Sequence, residues 1–274
     1  MKIMVMTDME GCAGILNHDD WVLPEGRFYG QGRRLLTEET SAAVAGLLEG
    51  GATEVVVADG HGAGGIDPEL LDERAQLLRG PTHPVWPFGL DESYDGIGWV
   101  GQHAKAGTPY SHITHTQWFN YIDLAVNGIS IGEYGQLALC AMELGVPSIL
   151  ACGEQAFAEE AAALTPGVVT AAVKRGLLPD GLDHLSVDEY RRAKLGAIHL
   201  SPRRARMLIR DGAARAARLL RAEPQSFRYP TLAPPYVRTA RFRSAGDAPP
   251  HSARDEHPSS IIALMNMPFT RVED

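Results

Sequence analysis

The opening stretch, MKIMVMTDMEGCAG, constrains this chain more than any other segment. Ile3 to Met6 is an apolar run that passes directly into Thr7-Asp-Met-Glu-Gly11, and it reads as a buried strand. Side chains alternate along a strand, so Asp8 and Glu10 are expected on the same side, just past the hydrophobic run. Open α/β sheets hold their ligands at the C-terminal ends of strands. Two carboxylates there form a candidate metal site, provided later segments bring further ligands to it.

Later segments repeat the arrangement. The periodicity predicts a helix from about Gln31 to Leu48, with Leu35, Leu36, Val44, Leu47 and Leu48 as its apolar stripe and Gly50-Gly51 as its stop. Glu54 to Ala58 is a short β-branched strand ending in the loop Asp59-Gly-His61-Gly-Ala-Gly-Gly65. Strand, helix and strand in this order read as a βαβ unit with a parallel pair. That unit puts Asp8, Glu10 and His61 at one edge of one sheet. A third strand, Gly96 to Val100, runs into Gly101-Gln-His103. Tyr121–Val126 and Ile129–Ile131 flank Asn127-Gly128, a hairpin signal. The next helix, about Glu133 to Leu144, opens on a carboxylate that the helix dipole keeps ionised. Strands at 146–152 and 168–173, helices at 154–164 and 202–221, and strands at 236–243 and 260–266 complete the reading. The fold class is α/β: a mostly parallel sheet flanked by helices, with a smaller C-terminal α+β part. Residues 1–175 are assigned to a metal-binding catalytic domain and 176–274 to the C-terminal part.

Composition removes several alternatives. Among 274 residues no apolar stretch approaches the length of a membrane span, and the N-terminus enters the first strand without a leader-like segment, so a cytoplasmic protein with no membrane partner is expected. Cys12, Cys140 and Cys152 are too few and too scattered for a disulfide framework or a cysteine zinc knuckle. Residues 1–199 carry 12 basic and 27 acidic side chains, whereas residues 200–274 carry 13 basic, all Arg, and 7 acidic. The segregation is read as an acidic body attracting a basic C-terminal part, within or between subunits, with no nucleic acid as partner.

Asp8, Glu10, His61, His103 and Glu133 thus share one description: each lies at or just past a strand end. Two histidines and three carboxylates can hold two zinc-like ions, with Asp8, nearest the strand, as the natural bridge. Such pairs of ions serve hydrolysis. A phosphatase of the haloacid-dehalogenase type would need an Asp-x-Asp pair after the first strand, and Glu10 argues against it.

The ordered set Thr7-Asp-Met-Glu-Gly11, Asp59-Gly-His61, Gly101-Gln-His103-Ala, His115, Gly132-Glu133 and Ala171-Ala-Val-Lys174 resembles the zinc-dependent D-aminopeptidases of the dipeptide-transport operon type, over about residues 1–175. The resemblance implies two Zn2+ per subunit, release of the N-terminal residue from short D-amino-acid peptides, and ring-shaped homo-oligomers such as decamers. It also implies Asp8 as the bridging ligand, Glu10 as a carboxylate on one zinc, and His61, His103 and Glu133 as the remaining ligands. His115 falls on the family's catalytic histidine, described there as a nucleophile. His112, three residues earlier, competes for that role, and the interval from His115 to Glu133 favours His115. The departures are an apparent insertion at 176–200 and a poor match after about residue 225.

Around this core several roles stay open. His115 serves as nucleophile or as proton shuttle. Asp59 either orients His61 or shapes the glycine-rich turn. Lys174 meets substrate or makes a surface ion pair, and Cys12 reads as a small buried hydrophobe. Two other functions compatible with the residues are a dinuclear hydrolase of another amide or a phosphoester, and a non-catalytic, zinc-holding peptide-binding ring.

Overall fold

The computed structural model describes residues 1–272. Its strands are β1 (Lys2–Thr7), β2 (Glu54–Asp59), β3 (Gln76–Leu78), β4 (Gly96–Gln102), β5 (Tyr121–Val126), β6 (Ile129–Ser130), β7 (Ser148–Glu154), β8 (Val169–Gly176), β9 (Ala197–His199), β10 (Tyr236–Phe242) and β11 (His251–His257). Its α-helices are α1 (His18–Trp21), α2 (Tyr29–Glu49), α3 (Glu133–Glu143), α4 (Gln155–Leu164), α5 (Val187–Arg191), α6 (Pro202–Ala222) and α7 (Ile261–Asn266). The larger sheet has the order β3-β2-β1-β4-β7-β8-β9. All its pairings are parallel except the last, β8 with β9. The smaller sheet, β11-β10-β5-β6, is antiparallel.

The apolar run of β1 fits this setting because both faces of a parallel sheet are covered. Ile3 and Val5 join the core beneath α2 and α6, with Leu36, Val44, Leu47, Ile209 and Leu220. Met4 and Met6 point the other way, into a core shared with Trp99, Leu137, Phe157 and the smaller sheet's Leu124 and Phe242. Ser201 caps α6 by accepting from the Arg204 N–H, and Pro202 opens it, as expected for a first helical position. Ala213, Ala216 and Ala217 are fully buried, and small side chains of this kind let helices approach closely. Arg206 and Arg210 of α6 pair with Glu38 and Glu49 of α2, so part of the charge segregation is satisfied within the chain. No helix among the described residues is long and apolar enough to cross a membrane.

The hairpin forms where Asn127-Gly128 placed it, with φ of 48° and 80° at the two turn residues. One expectation near the C-terminus fails. Residues 260–266 form the helix α7 rather than a strand: Ser260 accepts from the Ala263 N–H, and Ile261, Leu264 and Met265 are buried at helical spacing. The partner of β10 is instead the polar segment β11, HSARDEH. Its inward positions are Ala253 and Asp255, and a buried aspartate hides the alternation. Asp255 is tolerated because Arg238 donates to it at 2.7 Å, while Arg238 also donates to the Met267 carbonyl and lies over the Phe269 ring. Asp255→Ala leaves that guanidinium buried without its counter-charge. It is expected to cost about 3–5 kcal/mol of stability, read as a lowered urea midpoint.

Candidate active site

The C-terminal ends of β1, β2 and β4 lie side by side, with Thr7 paired to Asp59 on one flank and to Val100 on the other. Asp8, His61 and His103 follow these ends directly. β1 stops at Thr7, and the chain then turns, with Cys12 N–H donating to the Met9 carbonyl and Gly11 N–H to the Gly101 carbonyl. Asp8 and Glu10 therefore converge through a turn and not through strand alternation. The ends of β4 and β7 press together at Gln102. A Cβ at Gly153 would lie 1.9 Å from the Gln102 carbonyl oxygen, so only glycine permits that approach.

All six candidate residues meet here. His61 Nδ1 is 3.0 Å from Asp8 Oδ1 and 3.4 Å from Glu10 Oε2. His103 Nε2 is 3.3 Å from Asp8 Oδ2 and 3.5 Å from Glu133 Oε1. His115 Nε2 is 3.8 Å from both Glu10 Oε1 and Glu133 Oε1, and its ring stacks on that of His103 at 4.1 Å. Every one of them is buried except Glu133, which is partly exposed at the head of α3.

The protons on the three imidazoles follow from their other nitrogens. His61 Nε2 faces the Val22 carbonyl at 3.2 Å, His103 Nδ1 the Ala104 carbonyl at 2.8 Å, and His115 Nδ1 the Ile113 carbonyl at 2.9 Å. A carbonyl only accepts, so these nitrogens carry the hydrogens and the opposite ones present lone pairs. All three lone pairs are aimed at carboxylates. Lone pair against carboxylate repels unless a proton or a metal cation stands between them. Neither His103 Nε2 nor Glu10 Oε2 has a hydrogen-bond partner although both are buried.

Two ligands about 2.1 Å from one tetrahedral zinc stand roughly 3.4 Å apart, close to the separations seen here. Two groups of ligating atoms, one from Asp8, Glu10 and His103 and one from His103, His115 and Glu133, each lie within 4.8 Å of one another. The residues fit zinc.

Where no metal stands between them, the carboxylates draw a proton onto the facing nitrogens of His61 and His103. Burial, then the neighbouring Glu10, push the Asp8 carboxyl up to about 7. Burial works to discharge His61, yet Glu10 and Asp8 outweigh it and hold that imidazole well above its ordinary range. His103 is raised in the same way, with Glu133 the strongest of the charges acting against burial. Burial, then the charge on His103, bring His115 down to about 4, which leaves it neutral.

Several supporting groups gave no sequence signal. The Gln102 side-chain amide donates to Asp8 Oδ2 at 2.9 Å and to Glu133 Oε2 at 3.2 Å, and the Gln117 backbone N–H donates to Glu133 Oε1 at 2.7 Å. His18 is buried on α1, edge-on to His115 and Phe119. The remaining open roles resolve as follows. Asp59 accepts from the Gly65 and Ile66 N–H groups and from Arg79, so it shapes the loop and does not orient His61. Lys174 is neither at the surface nor in the cavity: it is buried, and its ammonium donates to the Glu10 backbone carbonyl. His112 lies edge-on to His199 at 5.3 Å and outside the cavity lining. Cys12 is fully buried, and burial holds its thiol well above the ordinary range, as suits an inert hydrophobe.

The cluster opens into a cavity of about 290 Å³ whose walls include Trp86, Phe88, Trp118 and His18. None of the described residues lining it is Lys or Arg.

An open α/β sheet with buried histidines and carboxylates gathered at its strand ends defines a metal-dependent hydrolase. The sequence pattern of the D-aminopeptidase family matches residues 1–253, and the chain belongs to that family; it is a metallo-aminopeptidase. A D-aminopeptidase of Bacillus subtilis (strain 168) is 34% identical over 189 residues, 68% of each chain. The solved structure of the Zn-dependent D-aminopeptidase DppA from Bacillus subtilis, a self-compartmentalizing protease, matches with a TM-score of 0.81 at 25% identity, over 97% of this chain and 95% of that one.

Proposed function

We propose that the chain is a binuclear zinc D-aminopeptidase that removes the N-terminal residue from short D-amino-acid peptides and works in the cytoplasm as a homo-oligomeric ring. The observation that carries the two-metal reading is the position of Asp8, with one carboxylate oxygen turned toward His61 and the other toward His103. Asp8, Glu10 and His61 would hold one zinc, and Asp8, His103 and Glu133 the other. Zinc bound there supplies Lewis acidity for the scissile carbonyl and for activation of water.

The rest falls to the protein. His115 presents a neutral Nε2 toward the cluster and can move a proton at the scissile amide. The acidic lining suits a substrate ammonium. No Lys or Arg stands among the described lining residues, and Asp8, Glu10 and Glu133 suit the amino end of a peptide. Trp86, Phe88 and Trp118 give the side chain an apolar wall. Preference for D-residues is supported by the family and by the names of both B. subtilis proteins, and ring assembly by the self-compartmentalizing character of DppA. The three cysteines are free and buried, in keeping with a reducing compartment.

Metal analysis combined with hydrolysis of D-Ala-D-Ala and L-Ala-L-Ala tests the proposal. The expected result is about two zinc ions per chain and turnover of the D-peptide. A protein that binds no metal after zinc loading overturns the enzyme reading. Turnover of the L-peptide alone overturns the stereochemistry and leaves the metal site standing.

A further inference from the structure

Besides Asp59, a second strand-end carboxylate lies outside the cluster. Glu154 closes β7 and is completely buried. Its Oε1 accepts the Ala104 N–H at 2.7 Å and lies 3.4 Å from the Thr114 hydroxyl, and its Oε2 accepts the His112 N–H at 2.7 Å. Ala104 follows His103 and supplies the carbonyl that takes the His103 Nδ1–H. Residues 112 and 114 flank Ile113, whose carbonyl takes the His115 Nδ1–H. A single carboxylate therefore ties together the two loops that set the rings of His103 and His115. Lys174 stands beside Glu154 in strand register, and its ammonium donates to the Glu10 carbonyl, which brings the third ligand-bearing loop into the same framework.

We propose that Glu154 is a positioning residue for the reaction: by clamping the 103–104 and 112–114 loops it fixes the stacked imidazoles of His103 and His115 relative to each other. The inference rests on the zinc peptidase reading. All three hydrogen-bond partners of Glu154 are donors, so both of its oxygens must accept. Burial raises the Glu154 pKa, and the Ala104 N–H and then the charge on Lys174 act against it. Removing the clamp leaves the ligands and His115 chemically intact and alters only where they stand.

Glu154→Gln makes the distinction. A glutamine has one accepting oxygen and one NH2 group, so one loop keeps its bond and the other meets donor against donor. With wild-type D-Ala-D-Ala turnover established first, the variant is expected to bind the wild-type amount of zinc and to keep KM within about threefold. Its kcat is expected to fall about 10–100-fold. The visible absorption of the cobalt-loaded protein, which reports ligand geometry without turnover, is expected to shift. A clamp that serves stability alone lowers the thermal midpoint and leaves kcat of the folded protein and the cobalt spectrum at wild-type values; that result overturns the proposal. If the glutamine variant does not fold, Glu154→Asp keeps both acceptors but draws them back by one methylene. Lower kcat at unchanged KM in that variant supports the clamp, and wild-type kcat overturns it. Inactive wild-type protein refutes the peptidase reading instead, independently of either variant.

Discussion

His115→Ala is expected to lower kcat for D-peptide hydrolysis by about 10²–10⁴-fold, the usual contribution of a positioned acid–base group, while zinc content stays at the wild-type level. The geometry separates the two readouts. Asp8, Glu10, His61, His103 and Glu133 make their mutual contacts without His115. His115 stands at the edge of that group, 0.3–0.5 Å farther from its carboxylates than His103 is from Glu133 or Asp8. Its ring is held between His103 and Phe119, at 4.1 and 4.4 Å, and its Nδ1 proton is spoken for by Ile113. What remains is one fixed lone pair, suited to accept a proton or to attack. Loss of zinc in the variant would make His115 a ligand, a role that its place in one of the two ligating groups permits. Full activity would move the proton transfer to another residue, and His18, which lines the same cavity, is the first to examine.

How much of this site can be read in the sequence depends on whether a residue follows a recognisable strand. Asp8, His61 and His103 each follow an apolar run that is buried on both faces, and parallel pairing aligns the ends of such runs, so sequence position alone brings the three together. Glu133 is legible for another reason, since the Asn127-Gly128 turn fixes where the hairpin ends and α3 begins. The same logic fails for Glu154. It is the last residue of a fully buried strand, but glutamine and alanines follow at once and assign it to the helix instead of to β7. Gln102 escapes because an amide beside a candidate histidine carries no pattern of its own. β11 is hidden because burying Asp255 on its inner face requires Arg238, 17 residues away on another strand, and only the folded pairing shows that the charge is met. Residues 260–266 mislead in the opposite sense. Their adjacent isoleucines suggest a strand, while the Ser260 cap and burial at positions three and four apart make a helix. Local pattern thus locates the ligands that end strands, and fails where a long-range charge pair or a cap decides the structure.

Asp8→Ala is expected to abolish hydrolysis and to reduce zinc to less than about one ion per chain, the strongest effect of any single ligand substitution. Glu10 and His61 belong to one half of the cluster and His103 and Glu133 to the other, and only Asp8 faces both histidines directly, at 3.0 and 3.3 Å. Its oxygens are also oriented from within the fold, one by the Met9 N–H and the other by the Gln102 amide. Losing Asp8 leaves each half with a single carboxylate and a single imidazole, too few to hold zinc firmly. His61→Ala provides the comparison, because it strips one half and leaves Asp8, His103 and Glu133 in contact. It is expected to retain about one ion. Equal zinc loss in the two variants would mean that the halves bind cooperatively. Retention of both ions in Asp8→Ala would show that Asp8 does not bridge and would overturn its assignment to both halves of the cluster.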